Sequence, residues 1–143
     1  MYVPDETDLE IIRLLRKNAR LQWREVGELV HLTGQAVGAR IRRLEEHGLI
    51  RGYTVMTDDE KLGKPLTAVV TVLMKSNRHA EFISFVQREP SVTEAHRISG
   101  DGCYSLLVRA SGHDELNGML DRLLEYANYR LHLSTQLIKS HRH

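Results

Sequence analysis

Missing features narrow this sequence first. It holds one cysteine, Cys103, so no internal disulfide can form and no cysteine pair is present to hold zinc. No apolar run approaches the ~20 residues of a membrane span. The opening Met-Tyr-Val-Pro-Asp-Glu has neither the basic nor the apolar region of a secretory leader. These absences place the protein in the cytoplasm of a bacterial or archaeal cell, off the membrane. Excess charge is missing too. With 20 Lys and Arg against 19 Asp and Glu, the net charge of +1 does not announce a nucleic-acid binder. What remains is an ordinary soluble balance, 41% hydrophobic and 27% charged over 143 residues, enough for one domain or two small ones.

The distribution of charge says more than its sum. Asp5, Glu6, Asp8 and Glu10 crowd the start, Arg13, Arg16, Lys17, Arg20 and Arg24 follow, and Arg40, Arg42 and Arg43 cluster near Arg51. A basic cluster within a near-neutral chain suits a phosphate footprint, although a solvated helix face would also produce it.

Apolar spacing predicts three short helices in the first third. Asp5 caps the first, with Asp8 completing a capping box and Leu9, Ile12 and Leu15 as its inner stripe, thickened by Ile11 and Leu14. The second spans Trp23–Val30. Gly27 inside it is costly relative to Ala unless another helix crosses closely there. Thr33 caps the third, whose Val37, Ile41 and Leu44 face inward and which stops at Gly48. Only "HLT" separates the second and third helices, and the third is basic: this is the pattern of a helix-turn-helix. Thr33, Gln35, Ala36, Gly38, Ala39, Arg40, Arg42 and Arg43 are then the candidate DNA-binding residues. Small residues let the backbone approach bases, Gln pairs with adenine, and Arg pairs with guanine or phosphate. Arg40 has an alternative, an ion pair with an acid of the first helix.

Leu49–Met56, "LIRGYTVM", reads as a strand, and Thr57–Pro65 as a polar linker closed by Gly and Pro. Beyond it, strands are expected at Leu66–Lys75, Val92–Ile98, Cys103–Ala110 and Tyr129–Ile138. Helices are expected at Arg78–Arg88, with Phe82, Ile83 and Val86 inward, and at Asp114–Ala127, with Leu116, Met119, Leu120, Leu123 and Leu124 inward. The order β-α-β-β-α-β is ferredoxin-like. Val69, Leu73 and Leu107 leave the sheet's open face half-apolar, which suits docking on a second copy. The first and third strands carry only Tyr104 as an aromatic, too few for base stacking by an RNA-binding sheet. The fold class is therefore α+β. A helix-turn-helix domain occupies 1–50, a strand and linker 51–65, and a ferredoxin-like oligomerisation domain 66–143.

Enzyme chemistry has little support. Cys103 and the eight histidines are scattered without a triad-like setting, and a small structural cysteine is the better reading. His132, His141 and His143 could be imagined around a metal, but the tail is terminal and no metal site is assigned. In "SGDGCYSLLVRA" the Gly-Asp-Gly precedes a strand, not a helix N-terminus that could hold an anion. It reads as a hairpin turn in which glycines supply positive φ.

Several motifs in order resemble the leucine-responsive regulator (Lrp/AsnC) family of transcriptional regulators. They are Asp5-x-x-Asp8-x-x-Ile11-Ile12, Ala19-Arg20-Leu21, Leu32-Thr33, Val37-x-x-Arg40-Ile41-x-x-Leu44-Glu45-x-x-Gly48-x-Ile50, Lys61-Leu62-Gly63, Gly100 and Leu133-Ser134-Thr135. The resemblance implies a strand hinge within 51–65, a ligand-sensing role for 66–143, binding to double-stranded DNA, a homodimer assembling to a tetramer or octamer, no cofactor, and modulation by an amino acid or other small effector. An architectural DNA-wrapping protein without an effector is the alternative. It also implies an effector site bordered by Gly100, Asp101, Gly102, Cys103, Tyr104, Ser134 and Thr135. Three positions depart from the family pattern: His31 where Gly or Asn is usual, Gly27 for Ala, and Cys103 where an Asp usually stands.

Overall fold

The computed structural model describes residues 1–140, which divide into two compact units, Met1–Val55 and Met56 onward. The first unit contains α1 (Glu6–Lys17), α2 (Trp23–Val30) and α3 (Gly34–Glu46). The expected capping box starts α1: the Asp8 amide donates to Asp5 Oδ1 at 2.8 Å and the Asp5 amide to Asp8 Oδ2 at 3.1 Å. Its inward stripe differs from the expected one. Asp8, Ile11 and Leu15 are buried, Ile12 and Leu14 are half-buried, and Leu9 is 54% exposed. The helix turns this way because Asp8 has partners to meet inside. Arg40 of α3 donates to Asp8 Oδ1 at 3.0 Å and to both Asp5 oxygens at 2.9 and 2.7 Å, while the Tyr2 hydroxyl donates to Asp8 Oδ2. Arg40 is thus engaged with α1 through Nη1, the alternative ion pair its sequence setting offered beside a place in the DNA-facing set.

Two glycines mark close approaches. A Cβ on Gly27 would lie 2.3 Å from the Leu32 carbonyl oxygen, so the constraint comes from the backbone of the turn and not from the crossing helix that its position suggested. The turn closes with the Leu32 amide donating to the Gly27 carbonyl at 2.9 Å, and His31 takes the left-handed conformation (φ 59°) there. A Cβ on Gly38 would meet the Trp23 ring at 2.4 Å. Gly38 is buried, so it leaves the DNA-facing set. Val37, Ile41 and Leu44 form the inner stripe of α3 as expected. Gly48 (φ 74°) ends that helix in a Schellman motif, with its amide bonded to Glu45 and the Leu49 amide to Leu44.

The strand expected over Leu49–Met56 does not form. The segment is largely exposed and pairs with no strand of the sheet, so its extended-favouring composition is not enough to make a ladder here.

The second unit contains β1 (Leu66–Met74), α4 (His79–Arg88), β2 (Val92–Arg97), β3 (Tyr104–Ala110), α5 (His113–Leu123) and β4 (Ala127–Leu133). The sheet is antiparallel in the order β2-β3-β1-β4, the ferredoxin-like arrangement. Ala68, Val70 and Val72 of β1 and Tyr104, Leu106 and Val108 of β3 share one core with Phe82, Phe85, Leu116, Met119, Leu120 and Leu123. Phe85 fills the inner position expected for Ile83, which is 38% exposed, and Leu124 lies outside the stripe at 39%. α5 ends at Leu123, and β4 ends at Leu133, opposite Ala68, because β1 has almost no length left to pair beyond it. The linker 57–65 is tied to the sheet unit by Asp59–Arg109 (3.0 Å) and Lys64–Glu115 (2.6 Å).

Two predictions follow from these ion pairs. Arg40→Ala leaves the buried Asp8 carboxylate without its cation. It should cost the first unit about 3 kcal/mol, read as a lowered urea midpoint. Glu115 is held down to about 2, from an ordinary 4.5, first by the Lys64 hydrogen bond and then by the Ser111 amide. Its folded-state pKa is depressed, so its contribution is complete above pH 4.5 and lost as pH falls towards 2. Urea titrations across that window should show a shallower pH slope in Glu115→Gln. An equal slope in both proteins would refute the assignment.

Candidate DNA-binding and effector sites

Burial of Val37, Gly38, Ile41 and Leu44 turns the opposite face of α3 outward. Gln35, Ala39 and Arg42 lie along that face at i, i+4 and i+7, all exposed, with Ala36 half-buried and Arg43 exposed beside them. Thr33 starts the helix: its hydroxyl oxygen accepts the Ala36 amide at 3.1 Å. Of the eight residues expected at DNA, these six remain on or beside the outward face, while Gly38 and Arg40 are engaged within the unit.

The two exposed arginines are held by aromatic rings on separate sides. Arg42 lies over Trp23 at 5.2 Å from the ring centroid, and Arg43 lies over Tyr2 at 5.6 Å. Tyr2 is itself clamped, stacked on His47 at 4.7 Å and hydrogen-bonded to Asp8, whose carboxylate raises the phenol above its ordinary value. Such contacts stabilise exposed pairs by roughly 0.5–1 kcal/mol, enough to restrict the orientations of a long side chain. Trp23 and Tyr2 were not evident as site residues. Trp23 falls on the apolar side of its helix in sequence, yet is 41% exposed. The available signal was Gly38, four residues before Arg42: a glycine in mid-helix points to a bulky neighbour, and here that neighbour is the ring.

The effector candidates fall into two groups. Gly100 and Gly102 both take φ 106° in the β2–β3 turn, as expected. The Cys103 amide donates to the Val72 carbonyl at 2.7 Å, and the Cys103 carbonyl accepts from Ile98 at 3.0 Å. Cys103 packs partly buried against the core, and Asp101 is exposed. Tyr104 points to the helix side of the sheet: it is buried against Phe82, with its hydroxyl 2.8 Å from His79 Nδ1. Ser134 sits elsewhere, its amide bonded to the Thr67 carbonyl at 2.8 Å. Thr67 and Val72 are separated by roughly 17 Å of β1, so one chain does not bring Ser134 and Thr135 to the glycine turn. Ser134 and Thr135 instead line a polar cleft of about 620 Å³ with Asp59, Lys64 and Arg109.

Among the described residues no three His, Cys, Asp or Glu gather as metal ligands, and no helix is long and apolar enough to cross a membrane. His141 and His143 lie outside the described residues.

Comparison with known proteins accords with this architecture. Residues 5–45 match the AsnC-type helix-turn-helix domain, and residues 67–143 match the Lrp/AsnC ligand binding domain. The transcriptional regulator LrpB of Bacillus subtilis is 44% identical over 137 residues, covering 96% of this chain and 92% of its own. The LrpC structure from the same species is 32% identical with a TM-score of 0.92, covering 97% of this chain and 99% of the other. A Neisseria meningitidis regulator solved as a complex with L-Met is 25% identical with a TM-score of 0.90, covering 96% and 94%. The chain belongs to the Lrp/AsnC family of transcriptional regulators, with an N-terminal helix-turn-helix and a C-terminal ligand-binding domain of ferredoxin-like fold.

Proposed function

We propose that this chain is a sequence-preferring, non-enzymatic DNA regulator acting at the nucleoid in the cytoplasm, with residues 1–50 on DNA and 66–143 assembling and sensing. The carrying observation is the outward face of α3, where Gln35, Ala39, Arg42 and Arg43 stand free of the core on a rigid scaffold. In this reading α3 enters the major groove, Ala36 and Ala39 allow close approach, Gln35 reads an adenine edge, and Arg42 and Arg43 pair with guanine or phosphate.

Dimerisation through the sheet is supported by its open face. Val69 and Leu73 of β1 and Leu107 of β3 lie there, ringed by Thr67, Thr71, Arg109, Arg130 and His132. An apolar centre with a polar rim suits self-association, which further assembly to tetramers or octamers would extend. The turn at 100–103 borders the effector site in this reading. Cys103 replaces the family's acid there, leaving Asp101 as the turn's carboxylate, so the effector differs from a simple amino acid or is absent.

Band-shift measurements on the chain's own upstream region are expected to show binding that survives salt better than binding to a scrambled duplex. Equal affinity for both would favour the architectural alternative, and no shift at low salt would refute DNA binding. Arg42→Ala should weaken the specific complex roughly tenfold while lowering the melting temperature by only a few degrees, from the lost contact with Trp23. Leu107→Glu should convert the dimer to a folded monomer by light scattering; a dimer that persists would move the interface off the sheet. Leucine bound tightly beside Cys103 would overturn the effector reading.

A further inference from the structure

A second cavity lies in the sheet unit, apart from the polar cleft beside Ser134. It occupies about 250 Å³ between α4 and β2. Its origin is legible in the packing. β2 is an edge strand, and α4 turns Phe82 and Phe85 onto the centre of the sheet. Opposite Leu106 the edge strand supplies only Ala95, so the space between helix and edge stays open. Phe82, Ile83 and Val86 form its apolar wall.

Arg97 stands at this cavity on the same side as Ala95, because it pairs across the ladder with Tyr104. Its guanidinium lies 5.8 Å from the Tyr104 ring centroid, and the Tyr104 hydroxyl is already engaged by His79. Among the described residues Arg97 forms no ion pair. The cavity lining contains no Asp or Glu. The nearby carboxylate in sequence, Glu94, pairs with His96 at 2.7 Å and opposes Leu107, on the other face of the sheet.

We propose that this cavity binds a small apolar monocarboxylate. The hydrocarbon portion lies against Phe82, Ile83 and Val86, and the carboxylate takes the forked donors of Arg97. An arginine held over an aromatic ring beside an apolar hollow matches both halves of such a molecule. The lining equally disfavours a free amino acid, whose ammonium would be desolvated with no acid to meet it. The cavity's size suits a branched or monocyclic acid and is too small for a nucleotide.

The test is calorimetric titration of the full chain, without DNA, with 4-methylpentanoate and phenylacetate, their uncharged amides, and leucine. Both acids should bind, with the amides and leucine at least tenfold weaker. Arg97→Gln should weaken the acids at least tenfold and leave the amides unchanged. Ile83→Trp, which fills the hollow, should abolish binding of acids and amides alike. Arg97 is exposed, so its variant keeps the fold and decides the question even if Ile83→Trp does not fold. No binding of either acid at millimolar concentration, equal affinity for acid and amide, equal affinity for leucine, or an Arg97→Gln protein with unchanged affinity would each overturn the proposal. Because DNA is absent from the measurement, failure of DNA recognition leaves this result standing.

Discussion

The ion pair between Arg40 and the start of α1 is the constraint on which the first unit depends. Asp8 is 1% exposed, and a carboxylate so placed is tolerated only with its lone pairs filled. Arg40, Tyr2 and the Asp5 amide fill them. The same Arg40 holds the Asp5 carboxyl below its usual range. One cluster therefore caps α1, decides which way α1 rolls, and ties α3 to it. It also sorts the basic residues of α3. Arg40 is engaged within the unit, while Arg42 and Arg43, one step further round the helix, remain outside.

Trp23 and Gly38 act on the same helix from the other side. The absent side chain at Gly38 lets the indole ring lie against α3, and the ring then carries Arg42 on its face. Tyr2 does the corresponding work for Arg43 while also bonding Asp8. The outward arginines are thus supported by rings that are themselves held in place, Trp23 against Gly38 and Tyr2 by His47 and Asp8. A surface of this kind offers donors with part of their conformational freedom already removed.

In the sheet unit the organising fact is that two helices cover an antiparallel sheet on one face only. That leaves an open face with an apolar centre at Val69, Leu73 and Leu107. It also leaves an edge at β2 where Ala95 cannot fill the space beside α4. The β2–β3 turn is built by Gly100 and Gly102. A side chain at Gly102 would strike Thr71, 2.6 Å from its Cβ position, so the turn lies tightly against β1. Cys103 belongs to this packing, with both backbone groups bonded.

Element order and type were legible from periodicity. The capping residues Asp5 and Thr33, the Gly48 stop, the inner stripe of α3 and the βαββαβ order follow from local spacing and cap chemistry, which neighbouring residues decide. Depth around a helix was not legible. Leu9 and Ile12 looked interior by hydrophobicity alone, yet Asp8 took the inner position because its partner Arg40 lies 32 residues away. The expected strand at Leu49–Met56 failed for the same reason: its composition favours extension, but a ladder requires an edge that no local pattern can supply. The effector residues split between two ends of β1 because register places Val72 and Thr67 apart. The sequence by itself determined the family, the fold class and the helix-turn-helix, since those rest on short-range pattern. Only the tertiary structure decided which arginine is structural, what Gly27 and Gly38 make room for, and where the sheet leaves a hollow, since each is a contact between distant residues.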